Sequence, residues 1–135
     1  WTTGVAWVGI TDLRALYEES MPHFKTTLER QLGDPEENAA FYRERSPVNH
    51  VDDMTAPILM VHGVNDPRCP VSQARVFRDA LEDRGWAAGD DFRYEELGEE
   101  GHGSSDIDQK IRAYRIMAEY LAERMPAAAT PEADD

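Results

Sequence analysis

Cysteine is nearly missing from this chain. The one thiol, Cys69, excludes an internal disulfide. Lysine is almost as scarce, with Lys25 and Lys110 standing alone among arginines. No apolar run approaches the roughly 20 residues that a membrane-crossing helix needs, so no membrane partner is expected. The opening Trp1-Thr2-Thr3-Gly4 is neither an initiator methionine nor the charged start of a signal peptide. The expectation is an excerpt from inside a larger chain, and the lack of an export signal reads as cytoplasmic. Also absent is any Gly-x-Ser-x-Gly turn, the setting in which a nucleophilic serine is exposed at the top of an α/β sheet.

What is abundant is acid. The 27 acidic and 14 basic residues leave a formal charge of −13. Such a surface repels phosphate and argues against nucleic acid as a partner. Excess acid with almost no lysine reads as adaptation to high salt, where screening suppresses self-repulsion; the alternative is an ordinary acidic protein with an acidic tail. The 135 residues, 41% of them hydrophobic, suffice for one small globular domain with its own core. Residues 1–125 read as that domain, and 126–135, rich in Ala, Pro and acid, as a disordered tail.

Ile58-Leu59-Met60-Val61 is apolar without alternation, the pattern of a strand covered on both faces in a parallel sheet. Gly63 ends it and Asn65-Asp66-Pro67 turns the chain. Gly4 to Ile10 is nearly all apolar as well and reads as another central strand. Phe92 to Leu97 alternates apolar and charged residues, which suits a strand nearer the sheet edge. Helical spacing predicts Leu13 to Glu19 capped by Thr11-Asp12, Met21 to Leu32 stopped by Gly33, and a helix opened by Asp34-Pro35 and closed near Ser46-Pro47. Pro47 to Ala56 reads as a polar link. Two further helices run from near Pro70 to Arg84, closed by Gly85, and from Asp106 to about Arg124. Alternating strands and helices predict a parallel three-layer α/β architecture, and three strands are few enough to be the second half of a domain.

Asp66 and His102 each stand on a loop that follows a strand. Both would project from the carboxyl edge of the sheet, where open α/β sheets bind ligands. A carboxylate beside an imidazole fixes its tautomer and stabilises the imidazolium formed on proton transfer. Read alone, Asp66 is equally a turn former and His102 equally a solvent-exposed loop residue. His62, ending a buried strand, reads as a packed, hydrogen-bonded histidine; grouped with Asp66 and His102 it lacks metal-ligand spacing, so neither metal nor cofactor is called for. His23 and His50 read as surface residues. Glu99 and Glu100 read as water-facing carboxylates near His102. Cys69 has no base aimed at it, and Ser20, Ser46, Ser72, Ser104 and Ser105 lack a nucleophile turn.

His62-Gly63-Val64-Asn65-Asp66-Pro67-Arg68-Cys69-Pro70-Val71-Ser72-Gln73-Ala74 resembles the acid loop of prolyl oligopeptidase-family serine peptidases. Gly98-Glu99-Glu100-Gly101-His102-Gly103 is similar to their histidine loop, and Val5 to Leu13, Gly33 to Glu37 and Arg45-Ser46-Pro47 match further phrases of their catalytic domain. The resemblance spans about Gly4 to Leu121. It implies the C-terminal part of an α/β-hydrolase fold, with helices on both faces of parallel strands and normally a β-propeller ahead of it. It also implies Asp66 orienting His102, His102 as general base and acid, and a serine upstream of residue 1. Arg68 is similar to an arginine that binds a substrate carbonyl in some members; its plainer reading is a surface ion-pair residue. Cys69 and Ser104-Ser105 depart from the family pattern.

The activity implied is hydrolysis of short peptides, completed by the upstream half of the domain and not by this segment in isolation. Two other readings stay open. One is a non-catalytic truncated or split remnant, and the other is an esterase or dienelactone-type hydrolase built on the same loops.

Overall fold

The computed structural model describes residues 1–104 and 106–125; Ser105 and the tail assigned to 126–135 lie outside the described residues. Strand β1 (Gly4–Trp7) is followed by helices α1 (Leu13–Glu19), α2 (Pro22–Leu32) and α3 (Ala39–Glu44) and a 3₁₀ segment (Pro47–Asp53). Then come β2 (Ile58–Gly63), α4 (Ser72–Asp83), β3 (Phe92–Leu97) and α5 (Ile107–Arg124). The strands form one parallel sheet in the order β1-β2-β3, with Gly4 opposite Ile58 and Ile58 opposite Phe92.

The apolar run of β2 takes the centre because only that position removes both of its faces from water. Leu59 and Val61 point to one side, where with Leu97 they meet Ala113, Ile116 and Tyr120 of α5. Met60 points to the other, where with Phe92 it meets Phe77 and Leu81 of α4 and Val51 of the 3₁₀ segment. Helices therefore cover both faces, as expected. Burying each of the Val, Leu, Ile, Met and Phe side chains among these contributes roughly 1.5–3 kcal/mol, and Leu59→Ala would cost about 2–5 kcal/mol through the cavity left behind.

Three local expectations are corrected. The first strand ends at Trp7 rather than Ile10, because Val8 adopts φ 51° and turns the chain out of the sheet. It is not central among the described residues: it pairs with β2 alone, and Trp7 is 38% exposed. The third helix starts at Ala39, not after Asp34. The Asp34 carboxylate accepts from the N–H groups of Glu36 (2.8 Å) and Glu37 (3.2 Å), closing a local turn that competes with helix. The polar link is a 3₁₀ segment whose Val51 is buried on the sheet, with the Arg84 guanidinium donating to the carbonyls of Val51 and Met54.

Candidate active site

The loops after β2 and β3 leave the carboxyl edge of the sheet side by side. The Val64 N–H donates to the Leu97 carbonyl (3.1 Å) and the Asn65 N–H to the Glu100 carbonyl (2.8 Å), so the pairing of the two strands continues into their loops. This approach depends on Gly63. A Cβ there would lie 2.3 Å from the Gly101 carbonyl oxygen and 2.6 Å from that of Glu100.

Asp66 stands three residues beyond the end of β2 with its side chain wholly buried, 0% exposed. Its Oδ1 accepts from the backbone N–H groups of Arg68 (2.8 Å) and Cys69 (2.9 Å), which wraps the loop around the carboxylate. Oδ2 lies 2.9 Å from Nδ1 of His102. A carboxylate only accepts, so that contact places the proton on Nδ1 and leaves Nε2, across the ring, as the basic atom. The His102 ring itself is 44% exposed. Burial pushes the Asp66 carboxyl up, but the Cys69 and Arg68 N–H groups together with His102 outweigh it and hold the carboxyl below its ordinary value. It is thus kept as an anion, the form that can stabilise a neighbouring imidazolium.

Asp66 and His102 meet as expected. Arg68 is on the same loop, exposed at the rim; its backbone, rather than its guanidinium, touches Asp66. His62 is buried at 1% exposure, with Nε2 2.8 Å from the Cys69 carbonyl oxygen and 4.0 Å from Asp66 Oδ2. The Cys69 thiol is buried against the Gly9 carbonyl at 3.6 Å; burial first, and then the Asp66 charge, push it up to about 12. A thiol so protonated is a poor nucleophile. Among the described residues no cluster of three His, Cys, Asp or Glu could hold a metal ion. His23 and His50 are exposed, His50 with Nε2 2.7 Å from the Glu44 carbonyl. Glu99 is exposed, but Glu100 is not water-facing: it is 7% exposed, because its peptide is drawn under the loop of Asn65.

Sequence reasoning missed Gln73, fully buried at the start of α4. Its Oε1 accepts from the N–H groups of Thr11 (3.0 Å) and Asp12 (2.9 Å), and the Thr11 hydroxyl donates to its carbonyl. Gln73 so pins the loop after β1 to the helix that follows the acid loop. A lone polar residue inside an otherwise apolar helical face was the signal available.

The family model of the prolyl oligopeptidase family matches residues 1–127. Dipeptidyl aminopeptidase BIII of Pseudoxanthomonas mexicana is 28% identical over 137 positions, which cover 98% of this chain and 19% of that protein. Esterase LipQ of Mycobacterium tuberculosis is 28% identical over 114 positions, covering 84% of this chain and 25% of that protein. A puromycin-hydrolyzing peptidase of Mycobacterium tuberculosis superposes with a TM-score of 0.82 at 25% identity, covering 92% of this chain and 18% of that one. An acylaminoacyl peptidase of Pyrococcus horikoshii does so with a TM-score of 0.81 at 23% identity, covering 100% and 21%. The chain thus spans at most about a quarter of the length of these relatives. Its parallel sheet between helices is part of the α/β-hydrolase catalytic domain of such peptidases. The chain belongs to the prolyl oligopeptidase family.

Proposed function

We propose that this chain supplies the acid and the base of a serine-type peptidase acting on short peptides. The observation that carries the proposal is the 2.9 Å contact between the exposed His102 ring and the buried Asp66 carboxylate. His102 Nε2 takes the proton of a serine hydroxyl as that oxygen attacks the scissile carbonyl, and returns it to the leaving amine. Asp66 holds the ring in the Nδ1–H tautomer and stabilises the imidazolium between the two transfers. The serine stands on a Gly-x-Ser-x-Gly turn outside this chain, so residues 1–135 alone carry out no acyl transfer. Arg68, exposed two residues past the acid, donates to a carbonyl of the bound peptide.

Intact-mass measurement of the native protein, combined with labelling by a serine-directed fluorophosphonate, tests this. The proposal expects a species longer than 135 residues that takes up one label. A native species of 15.3 kDa that never labels, alone or with partners, would overturn it.

Two observations favour second readings of the same loops. The 28% identity to a protein named an esterase favours ester substrates, which turnover of p-nitrophenyl esters against peptide anilides distinguishes. The exposed rings of Trp7 in β1 and Tyr114 in α5, which meet edge to face at 5.4 Å, favour a remnant that binds a complementary half. Size-exclusion chromatography in low and high salt separates that case, since a compact, well-behaved monomer counts against it.

A further inference from the structure

We infer that His62 is a positioning residue for the Asp66–His102 pair, holding the acid loop in place through the Cys69 peptide; this rests on the reading of Asp66 and His102 as acid and base. His62 is the next-to-last residue of β2 and is buried beneath the loop that Asp66 occupies. Its Nε2 lies 2.8 Å from the Cys69 carbonyl oxygen. A carbonyl only accepts, so Nε2 carries the proton and donates it there. The Cys69 residue that takes this bond on its carbonyl gives its own N–H to Asp66 Oδ1 at 2.9 Å. Asp66 Oδ2 in turn receives His102 Nδ1–H at 2.9 Å.

A continuous path therefore runs from the rigid strand, through one loop residue, to the carboxylate and out to the exposed imidazole. The His62 ring also flanks the carboxylate directly, with Nε2 4.0 Å from Oδ2. The bond from residue 62 to residue 69 closes the acid loop onto the strand it left, so the carboxylate is aimed by the sheet rather than by a free loop. An apolar residue of similar bulk would fill the same space, but it would leave the buried Cys69 carbonyl without this donor and the loop without its tether. A filler role and a positioning role thus make opposite demands: the first needs volume, the second an N–H at the Nε2 position.

The test uses the full chain, isotopically labelled, in solution. Ring nitrogen shifts in the unsubstituted protein are expected to show His62 with its proton on Nε2; an Nδ1–H ring would overturn the inference without any substitution. His62→Phe is expected to speed solvent exchange of both the Cys69 amide and the His102 Nδ1 proton by about tenfold, equivalent to ~1.4 kcal/mol. His62→Gln, which restores an N–H at the reach of Nε2, should keep both rates within about twofold of the original on the same scale. Unchanged rates in His62→Phe, or a loss in His62→Gln as large as in His62→Phe, would refute it. Where His62→Phe does not fold, the tautomer and the His62→Gln rates decide. Asp66→Asn separates the acid–base pair from the role of His62. If it leaves the His102 proton unaffected, the acid–base reading fails; if it removes that proton while His62→Phe does not disturb it, only the role of His62 fails.

Discussion

Gly63 and Gly101 touch so closely that a Cβ on the first would lie 2.3 Å from the carbonyl oxygen of the second. The contact is backbone against backbone, so no rotamer change relieves it. Gly63→Ala is therefore expected to lower stability by roughly 1–3 kcal/mol by forcing the loops after β2 and β3 apart. Urea unfolding measures the loss. Because those loops carry Asp66 and His102, fluorophosphonate labelling of the native protein should fall further than the stability change alone accounts for. An alanine variant with normal stability and normal labelling would mean that the two loops are not locked together.

Asp66→Asn keeps the size of the side chain and an oxygen for the Arg68 and Cys69 N–H groups, but puts an amide against His102. The ring then loses its reason to carry a proton on Nδ1, and the rate of serine acylation is expected to drop on the order of 10³–10⁴-fold. The carboxyl is depressed on folding, so its contribution to stability is present above the unfolded value of about 3.9 and disappears as pH falls through the lower folded value. Wild type should thus lose more stability than Asp66→Asn as pH is lowered from about 4. Parallel acid-unfolding curves for the two proteins would contradict this.

Glu96, next to the end of β3, accepts from Arg75 of α4 at 2.7 and 2.9 Å and from the Tyr94 hydroxyl. Those hydrogen bonds, the Arg75 pair first, bring its carboxyl down from 4.5 to about 2. Stability from this group is complete above the unfolded value and is lost between about 4.5 and about 2 as the carboxylate is protonated. The Arg75 side chain is 46% exposed, so screening limits the effect to under about 1 kcal/mol. Glu96→Gln should flatten the acid limb of the stability curve in that window, and added salt should shrink the difference. A larger difference at high salt would contradict the assignment.

The Cys69 thiol, pushed up to about 12, should react with a disulfide reagent at neutral pH only as fast as the acid loop opens. Reaction is expected to be slow in the native protein and to accelerate across the urea transition. Rapid stoichiometric labelling of the folded chain would show that the loop around Asp66 is loose.

How legible this was in the sequence depends on how local each cause is. Phe92 to Glu95 alternates apolar and charged residues, and β3 forms over Phe92–Leu97. Asp12 caps α1 through its bond from the Ala15 N–H, at 3.0 Å, which spacing alone predicts. The Asp66–His102 pair was legible because two parallel strands deliver their following loops to one edge whatever the path of the helices between them. Other features depended on where one loop lies against another. Val51 buries itself in the link, Glu100 is drawn under Asn65, and Gly63 must lack a side chain because a second loop crosses it. No window of sequence contains both partners of such a contact. The overlong first strand had a local cause, the left-handed turn at Val8, but valine is the last residue that composition would choose for it.

Whether Asp66 and His102 act as one unit is read out by a double-mutant cycle on fluorophosphonate labelling of the native protein. Asp66→Asn, His102→Gln and the double variant are each compared with wild type. The predicted result is strong non-additivity, with the double variant labelling no more slowly than His102→Gln alone. Losses that simply multiply would show the two side chains working independently, the opposite of an acid–base pair.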